Sequence, residues 1–435
     1  MPTFVIIGGG ILGTAVAYLL STRFDGRQIL VIEQEADVGR HMSGRNTGVI
    51  HRPFYLDPAH KRIFARMANL SYPLWSAYAA ARSLPWKKVG TLEVALDATD
   101  RQVLETYARW AAENGIPEGE VRLLSGREAK KLEPEIACES ALLSVTDTAV
   151  DFGRFTKALR HDAEAGGVSF VLGVAVSSIG TKGPDLEMRL ADGSTRAARF
   201  VLNCAGGGAL RIARALGVAD NLAAVNFRGE YFRIAPEHAR LASRNVYSVP
   251  RRREMPFLDP HWVVRFDGTV EIGPTAVPVI GPYTYEGLIP PFSRLLGDTS
   301  ELAHPNVMRL FGNAEFWQLA GTEWKSSMSP GALVKRVARF LPALTARHLA
   351  GKGRSGVRSA VIGADGSFVK EVVEREGPQS LHILNYNSPG ATGAPAYAVH
   401  LIERALSLGA AHFLSPRSAP SGTVWNYQDI ASHLV

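Results

Sequence analysis

The hydrophobic pattern of the chain begins with a short apolar run followed by a glycine turn. Residues 4–7 are apolar and predict a buried strand, residues 14–20 continue as a helix, and residues 28–32 form a second apolar strand that leads into Glu33. This order of strand, glycine turn, helix and strand predicts a βαβ unit, the start of a parallel sheet.

Helical and strand patterns alternate along the rest of the chain. Apolar residues at helical spacing predict helices over residues 58–82, 99–114, 125–132, 150–167 and 323–341. Apolar runs predict strands over residues 86–96, 168–176, 186–190, 194–198, 200–208, 227–234, 246–249, 261–266 and 269–275. The strands from residue 227 onward follow one another without an intervening helix. They therefore predict an antiparallel sheet in addition to the parallel one.

The length of the chain points to two domains. At 435 residues it exceeds the usual size of one compact domain, and 46% apolar residues supply ample core. The patterns together predict an α/β fold with a Rossmann-like domain and a second, α+β domain.

The glycines of the first turn predict a dinucleotide site. Gly8, Gly10 and Gly13 form a G-x-G-x-x-G pattern that permits a tight turn and a close backbone approach to a pyrophosphate at a helix N-terminus. Glu33, 20 residues after Gly13, can accept hydrogen bonds from ribose hydroxyls. The motif fits FAD and NAD alike, and an ordinary tight turn is the structural alternative.

A glycine- and hydroxyl-rich loop over residues 41–55 follows the second strand. Ser43, Asn46 and Thr47 could donate hydrogen bonds to the diphosphate or ribityl chain of a long cofactor, while Gly44 and Gly48 allow a close backbone approach. The alternative is a solvated loop without a ligand.

A later segment also places small residues at the end of a strand. A strand ends at Asn385, a small-residue turn covers residues 388–393, and a helix begins at Ala394. Such a helix N-terminus can stabilise negative charge on a reduced flavin ring, although a capped structural helix is the alternative. Cys204, in the apolar strand that starts at Phe200, is interpreted as a core residue and not as a covalent attachment point.

Charge and cysteine content narrow the functional classes. The 48 basic and 41 acidic residues give a net charge of +7, which suits an anionic ligand, and no dense basic stripe indicates nucleic-acid binding. Two cysteines form no disulfide framework, no charged segment precedes the first apolar run, and no apolar stretch is long enough to span a bilayer. We therefore expect a cytoplasmic protein, with peripheral association at the inner face of the membrane as a further option.

Several motifs occur in the order typical of one flavoprotein family. These are the glycine fingerprint, Ser-Gly-Arg-Asn-Thr-Gly-Val-Ile-His at 43–51, Phe-Arg-Gly-Glu-Tyr at 227–231, Asn-Val-Tyr-Ser-Val-Pro at 245–250, Pro-Phe-Leu at 256–258, Gly-Pro-Thr-Ala at 273–276, Gly-Val-Arg at 356–358, Leu-His-Ile-Leu-Asn at 381–385 and Ser-Pro-Gly-Ala-Thr at 388–392. The chain resembles the FAD-dependent L-2-hydroxyglutarate oxidase/dehydrogenase family, a branch of the D-amino-acid-oxidase-like flavoproteins, over nearly its whole length.

This resemblance implies a non-covalently bound FAD and a discontinuous domain layout. The expected FAD-binding domain, of the GR2 type, comprises residues 1–85, 145–218 and 350–435, and the substrate-binding domain, on a mixed or antiparallel sheet, comprises residues 86–144 and 219–349. The expected FAD-binding residues are Gly8, Gly10, Ile11, Leu12, Gly13, Glu33, Gln34, Ser43, Arg45, Asn46, Thr47, Gly48, Val176, Ala205, Gly206, Arg358, Pro389, Gly390, Ala391 and Thr392.

The implied reaction is oxidation of a 2-hydroxy acid, with L-2-hydroxyglutarate as the first candidate. Hydride transfer from a secondary alcohol requires a base for a hydroxyl proton that is not acidic at neutral pH, and His51 and His261 are the candidates. A dicarboxylate needs cations and hydroxyl donors. The residues available for this role are Arg52, Lys61, Arg228, Tyr231 and Arg265.

The sequence departs from the family near the expected substrate side, which leaves the substrate less certain than the chemistry. Arg52 and the following Pro-Phe-Tyr, Ile63-Phe64, and Asp259-Pro-His-Trp replace the family's usual residues. Oxidation of an amino acid or another amine remains an alternative, as does a non-enzymatic FAD-binding or membrane-peripheral protein. The electron acceptor would be oxygen or a membrane quinone, and residues 288–317 form either a surface-binding element or a buried loop.

Overall fold

The computed structural model describes residues 3–251, 259–289, 300–417 and 423–434. In it, the first strand of the chain lies inside a six-stranded sheet. The helices in these ranges are α1 Ile11–Arg23, α2 Arg62–Ala81, α3 Ala98–Glu113, α4 Gly126–Leu132, α5 Phe152–Ala165, α6 Ala209–Arg214, α7 Pro305–Phe311, α8 Ala314–Met328, α9 Pro330–Val337, α10 Gly390–Ser407 and α11 Tyr427–Ser432.

The strands fall into five sheets. In chain order they are β1 Phe4–Ile7, β2 Ile29–Ile32, β3 Val49–Ile50, β4 Lys87–Lys88, β5 Thr91–Ala95, β6 Val121–Ser125, β7 Ser140–Ser144, β8 Thr148–Ala149, β9 Ser169–Val171, β10 Val176–Lys182, β11 Asp185–Leu190, β12 Thr195–Ala198, β13 Phe200–Asn203, β14 Ala223–Gly229, β15 Phe232–Ile234, β16 Asn245–Ser248, β17 His261–Val264, β18 Val270–Gly273, β19 Val277–Val279, β20 Leu349–Lys352, β21 Gly356–Ile362, β22 Val373–Gly377 and β23 Ser380–Asn385.

The six-stranded sheet has the order β22-β23-β13-β1-β2-β9, and all its pairings are parallel except that of β22 with β23. Helices cover the central strands, so β1, β2 and β13 are buried along their whole length, which explains their unbroken apolar sequences. Helix α1 packs against α5 and α10, and α10 also packs against α2. The predicted Rossmann-like architecture is confirmed.

An aromatic cluster fixes the position of α10 relative to this sheet. The fully buried indole of Trp75 on α2 lies 5.1 Å from the ring of Phe155 and 5.2 Å from that of Trp425, measured between ring centroids. Its Nε1 donates a 2.9 Å hydrogen bond to the carbonyl of Thr392 in the first turn of α10. The N-terminus of α10 is thereby held in place by its packing against α2.

A second, eight-stranded sheet has the order β20-β15-β18-β17-β16-β5-β7-β6. Its pairings are antiparallel except that of β16 with β5, as expected for the mixed or antiparallel sheet predicted for the second domain. This sheet contains strands from both ranges predicted for the substrate-binding domain, 86–144 and 219–349. The predicted domain borders themselves stay a prediction, because β21 lies in a range assigned to the FAD domain and pairs with β14, which lies in a range assigned to the substrate domain.

Several element boundaries differ from the expected ones for local reasons. The predicted helix over 323–341 consists of α8 and α9, because Ser329 caps α9 and Pro330 follows it at the first helical position, where a proline is tolerated. The predicted strand over 86–96 is divided into β4 and β5 at Gly90, whose φ is +70°. The helix predicted from Ala394 already begins at Gly390.

Part of the predicted surface-binding element over residues 288–317 lies outside the described residues, as does Pro-Phe-Leu at 256–258. The described remainder of the element includes α7 and exposes Leu288, Ile289, Met308 and Trp317. Among the described residues, no helix combines the length and apolar character needed to cross a membrane.

Glu93 introduces a carboxyl group into the eight-stranded sheet. It lies on β5 opposite Tyr247 of β16 and Leu142 of β7, and only 6% of its surface is exposed. Burial, and in second place the negative charge of Asp147, raise the pKa of Glu93 from its ordinary value of 4.5 to about 8. At neutral pH this side chain is therefore mainly a neutral acid.

The replacement Glu93→Gln should remove a pH dependence of stability between pH 6.5 and 8. The folded protein retains a proton on Glu93 that the unfolded chain has already released above about pH 4.5, so the wild-type free energy of unfolding decreases as pH rises toward 8. One such group contributes at most about 1.4 kcal/mol per pH unit. Urea unfolding at pH 6.5, 7.25 and 8 measures the slope.

The pH interval from 6.5 to 8 separates the contribution of Glu93 to the pH dependence of stability from that of the buried histidines. Burial lowers the pKa of His261 to about 3 and that of His382 to about 4, so their opposing contribution is confined to pH values below the ordinary histidine pKa of 6.5. Equal slopes for wild type and Glu93→Gln between pH 6.5 and 8 would contradict the assignment. Glu113→Gln, at an exposed position of α3, is the matched control.

Candidate active site

A cavity of about 370 Å³ lies where the carboxyl ends of β1, β2 and β13 meet residues from β14, β16, β17 and β21. Its position at the carboxyl edge of a parallel sheet, and its size, are typical of a cofactor site. The predicted site residues that line it are Gly8, Gly10, Ile11, Leu12, Glu33, Gln34, Ser43, Arg45, Asn46, Thr47, His51, Val176, Ala205, Gly206, Tyr231, His261, Arg358, Pro389, Gly390, Ala391 and Thr392.

The glycine turn is shaped by contacts that exclude side chains. Gly8 has a φ of +109°, and a Cβ there would clash with the carbonyl of Cys204. Gly13 does not line the cavity, because it packs against the backbone of Gly8 and so brings α1 close to β1. Gly48, at a φ of +71°, likewise lies off the cavity beside the carbonyl of Val150.

The N-terminus of α1 is open toward the cavity. Gly10 occupies the capping position without a side-chain cap, and the hydroxyl of Ser43 accepts a 2.9 Å hydrogen bond from the N–H of Ile11. The first turn of a helix has N–H groups without intrahelical partners and carries partial positive charge. This end of the cavity is therefore suited to a diphosphate.

Glu33 closes the nucleotide end of the cavity. Its Oε2 accepts a 2.6 Å hydrogen bond from the N–H of Gly9, and its Oε1 accepts a 2.9 Å hydrogen bond from that of Glu35. Burial raises the pKa of this carboxyl. Each oxygen retains a second acceptor position, which leaves capacity for ribose hydroxyls.

A second uncapped helix N-terminus faces the same cavity. Helix α10 begins at Gly390, and Pro389 at its capping position provides no side-chain cap. Residues 388–392 all line the cavity, and the hydroxyl of Thr392 accepts a 3.2 Å hydrogen bond from the N–H of His51. The partial positive charge of this helix end thus lies next to the segment that carries His51.

His51 forms a pair with Asp147. Its Nδ1 lies 3.0 Å from Oδ2 of the fully buried Asp147, which also accepts hydrogen bonds from the Thr91 hydroxyl (2.8 Å), the Ser144 hydroxyl (2.6 Å) and the N–H of Arg52 (2.9 Å). Because an ionised carboxylate only accepts, the proton of a neutral His51 is assigned to Nδ1, and Nε2 keeps its lone pair. His51 lines the cavity, so this lone pair is available for a ligand.

His261 differs from His51 in its partners. Its ring stacks on that of Tyr247 at 3.8 Å between centroids, and its Nδ1 donates to the carbonyl of Asp259 at 2.9 Å. Its Nε2 and the Tyr247 hydroxyl are buried without a hydrogen-bond partner among the described residues. Since burial lowers the pKa of His261 to about 3, it is neutral and weakly basic near pH 7.

Arg358 and Tyr231 supply polar groups to the same end of the cavity. Burial raises the pKa of Tyr231, and the positive charges of Arg265 and Arg358 oppose this shift, which indicates that the three side chains are close. The Tyr231 hydroxyl lies 3.1 Å from that of Thr47. Arg358 is half-buried, and desolvation lowers its pKa. This end of the cavity can bind an anion.

The structure does not bring four predicted substrate-binding cations to the cavity. Arg52 pairs with Glu120, Arg265 pairs with Glu271 and donates to the carbonyls of Asn46 and Thr47, and Arg228 pairs with Glu230, whereas Lys61 is half-buried near Lys370. The guanidinium groups of Arg228 and Arg265 thereby neutralise buried carboxylates, whereas the buried Arg52 pairs with the half-buried Glu120.

Sequence reasoning missed several residues of the site. Asp147 follows β7 within Val-Thr-Asp-Thr, a sequence without any recognisable signal, and the sequence predicts Tyr247 only as part of a strand. The cavity is also covered by Tyr283, which contacts the ring of His41 at 4.5 Å. His41 lies in the predicted loop over residues 41–55, and its exposed glycine-rich setting was the available signal.

The residues fit FAD in its extended form. The two uncapped helix N-termini suit a diphosphate and a ring that carries negative charge, and the buried Tyr247, His261 and Tyr386 present polar atoms without partners among the described residues. Burial raises the pKa of Cys204, which lines the cavity, to about 12. It remains a thiol and is a poor nucleophile, in line with the predicted non-covalent binding.

Residues 3–404 match the family model described as FAD dependent oxidoreductase (DAO). L-2-hydroxyglutarate dehydrogenase of Escherichia coli (strain K12) is 28% identical over 426 residues, which cover 98% of this chain and 96% of that protein. The mitochondrial L-2-hydroxyglutarate dehydrogenase of Homo sapiens is 29% identical over 416 residues, which cover 90% and 86%.

Solved structures show the same fold. Dithionite-reduced L-alpha-glycerophosphate oxidase from Mycoplasma pneumoniae with FAD bound aligns with a TM-score of 0.73 at 21% identity, over 95% of this chain and 96% of that chain. Glycine oxidase from Geobacillus kaustophilus aligns with a TM-score of 0.67 at 18% identity, over 93% and 94%. The predicted cofactor, FAD, and the predicted oxidoreductase class are confirmed by the family match. The chain belongs to the DAO family of FAD-dependent oxidoreductases.

Proposed function

We propose that this protein oxidises L-2-hydroxyglutarate, a small 2-hydroxy acid, to 2-oxoglutarate, with His51 as the base. The observation that carries this proposal is the His51–Asp147 pair, which presents an imidazole lone pair to the cavity. An alcohol requires such a base, whereas an amine can react through its own nitrogen lone pair. The relatives of similar length are named L-2-hydroxyglutarate dehydrogenases, which supports the choice of substrate.

FAD, when bound, accepts the hydride that leaves the Cα of the substrate. The protein's contribution is to remove the hydroxyl proton. Nε2 of His51 accepts it, and the imidazolium that results is stabilised by the carboxylate of Asp147 at Nδ1. Neutral His261 cannot take over this role readily, because burial lowers its pKa to about 3. Its unpartnered Nε2 is instead suited to accept a hydrogen bond.

Arg358 and Tyr231 are proposed to bind the carboxylate next to the reacting carbon. A partly desolvated guanidinium forms strong, charge-assisted hydrogen bonds with a carboxylate, and the tyrosine hydroxyl adds a further donor. Arg358 adjoins Val357, which pairs with Arg228 across β14 and β21, so the strand pairing holds the cation in position. The previously expected cations Arg52, Arg228 and Arg265 then support the walls of the site.

The electron acceptor is proposed to be a membrane quinone, with oxygen as the competing acceptor. The relatives are named dehydrogenases, and the protein exposes Met308 and Trp317 on α7 and α8 as well as Leu288 and Ile289. Exposed apolar side chains of this kind are suited to peripheral contact with a membrane. The predicted cytoplasmic location at the inner face of the membrane stays a prediction.

Anaerobic bleaching of the bound flavin by a panel of substrates tests the proposed function. We expect L-2-hydroxyglutarate, the substrate for which the relatives are named, to bleach the flavin fastest, and D-2-hydroxyglutarate, glycine, proline and L-alpha-glycerophosphate to have little effect. The base favours a hydroxy acid over the two amines. Bleaching by an amine alone would contradict the proposal. Addition of either oxygen or a short-chain quinone to the bleached protein then compares the two acceptors.

The variants His51→Gln and Asp147→Asn should slow bleaching without loss of the bound flavin. We expect a decrease of about 10²–10⁴-fold for His51→Gln, the usual contribution of a general base, and a clear but smaller decrease for Asp147→Asn. Stopped-flow absorbance measures the rates, and the flavin-to-protein absorbance ratio monitors cofactor content. His161→Gln, with a side chain 84% exposed on α5, is the matched control. Unchanged bleaching by His51→Gln would exclude this residue as the base.

A further inference from the structure

A loop over residues 280–288, which we name the strap, covers part of the active-site cavity. It follows β19, and Gly281 and Gly287, at φ values of +79° and +64°, reverse the chain near its two ends. These ends are joined by a 3.0 Å hydrogen bond from the N–H of Ile280 to the carbonyl of Leu288. The strap is therefore a compact loop of the Ω type, whose ends meet.

One part of the strap rests on the wall of the cavity that residues 206–208 form after β13. A Cβ added to Gly207 would lie 2.3 Å from Cβ of Pro282, and one added to Gly208 would lie 3.4 Å from the hydroxyl oxygen of Tyr283. Tyr283 and the two glycines all line the cavity. The strap is thus in direct contact with the backbone of this wall.

A second part of the strap is joined to His41. The Tyr285 hydroxyl lies 2.5 Å from Nδ1 of His41, and Oε1 of Glu35 lies 3.0 Å from its Nε2. Because a carboxylate only accepts, the ring proton of His41 is assigned to Nε2, and the Tyr285 hydroxyl donates to Nδ1. The ring of Tyr283 also contacts that of His41, with 4.5 Å between the ring centroids. His41 therefore connects the strap to the segment that follows β2.

Two further contacts hold Tyr285 in place. Its carbonyl accepts a 2.9 Å hydrogen bond from the hydroxyl of Ser355, and the guanidinium of Arg45 lies over its ring, 4.0 Å from the ring centroid. His41 and Arg45 line the cavity, whereas Tyr285 and Ser355 do not. Tyr285 is thus placed to fasten the strap without itself reaching into the cavity.

The contacts of the strap lie at the nucleotide end of the cavity. Glu35, which the histidine connects to the strap, donates its N–H to Glu33, the carboxylate suited to ribose hydroxyls. Burial lowers the pKa of Arg45, and the positive charges of Arg354 and Arg40 lower it further, so three cations lie close together here. Such surroundings favour a diphosphate.

We propose that the strap retains FAD in the cavity, and that Tyr285 fastens the strap as a positioning residue. This inference rests on the FAD site and not on the choice of substrate. FAD leaves only after the strap has moved, which breaks the contacts of Tyr285 with His41, Arg45 and Ser355. Loss of one of these contacts therefore accelerates the release of FAD and leaves the flavin end of the site unchanged.

Exchange of the bound cofactor measures how firmly the strap is held. Protein loaded with radiolabelled FAD is mixed with an excess of unlabelled FAD, and the retained label is followed over time by rapid gel filtration. We expect exchange about three- to tenfold faster for Tyr285→Phe, which removes the hydrogen bond to His41 and keeps the ring, and for Ser355→Ala. Tyr285→Ala should exceed both, because the contact with Arg45 is lost as well.

A matched control and a spectrum separate the strap from general loosening of the fold. Tyr427→Phe makes the same chemical change at a buried tyrosine on α11 that does not line the cavity and whose hydroxyl donates a 2.7 Å hydrogen bond to Glu403. This variant should exchange FAD at the wild-type rate. The absorption spectrum of the bound flavin should be the same in Tyr285→Phe and wild type, because the strap covers the nucleotide end.

Three outcomes would overturn the inference. The first is a wild-type exchange rate in both Tyr285→Phe and Ser355→Ala. The second is exchange accelerated as much in Tyr427→Phe as in Tyr285→Phe, and the third is a flavin spectrum that changes in Tyr285→Phe. None of these measurements involves a substrate, so a failure of 2-hydroxy acids to bleach the flavin would contradict the proposed function and leave the role of the strap in place.

Discussion

The buried carboxylate of Asp147 holds together the parts of the protein that meet at the substrate end of the site. It accepts hydrogen bonds from the segment that follows β3, from β5 and from the end of β7, and it orients His51. A fully buried charge is stable only when it is well hydrogen-bonded, so these four contacts are mutually dependent. The position of the proposed base thus follows from the requirement to satisfy the hydrogen bonds of one carboxylate.

The cofactor end of the site depends on a different constraint. The N-termini of two helices face the same cavity. Gly10 and Pro389 provide no side-chain caps at the N-termini of α1 and α10. The N–H of Ile11 donates to Ser43 and that of Gly390 to the carbonyl of Asn387, and the other N–H groups of the first turns, which lack intrahelical partners, can bind a ligand. The buried Trp75 fixes α10 through the carbonyl of Thr392. The packing of α2 against α10 therefore contributes to the placement of positive potential at this end of the cavity.

Local patterns were sufficient to predict the parallel sheet, the glycine turn and the second helix N-terminus, because each is encoded within about 20 residues. Contacts between distant segments could not be predicted in this way. Asp147 lies 96 positions after His51, and the partner of Arg52, Glu120, lies 68 positions away. An arginine that pairs with a carboxylate of the protein has the same sequence signature as one that faces a ligand cavity, so Arg52, Arg228 and Arg265 could not be distinguished from Arg358, which lines the cavity, before the fold was known.

The protonation state of His51 tests the account most directly. Nuclear magnetic resonance of the FAD-loaded protein with ¹⁵N-labelled histidine, at pH 7.5, reports which ring nitrogen carries the proton, and the signal missing from His51→Gln identifies the residue. The account predicts a proton on Nδ1 with a low-field resonance that changes in Asp147→Asn, and a bare Nε2. A proton on Nε2 and a bare Nδ1 would contradict it, because no lone pair would then face the substrate.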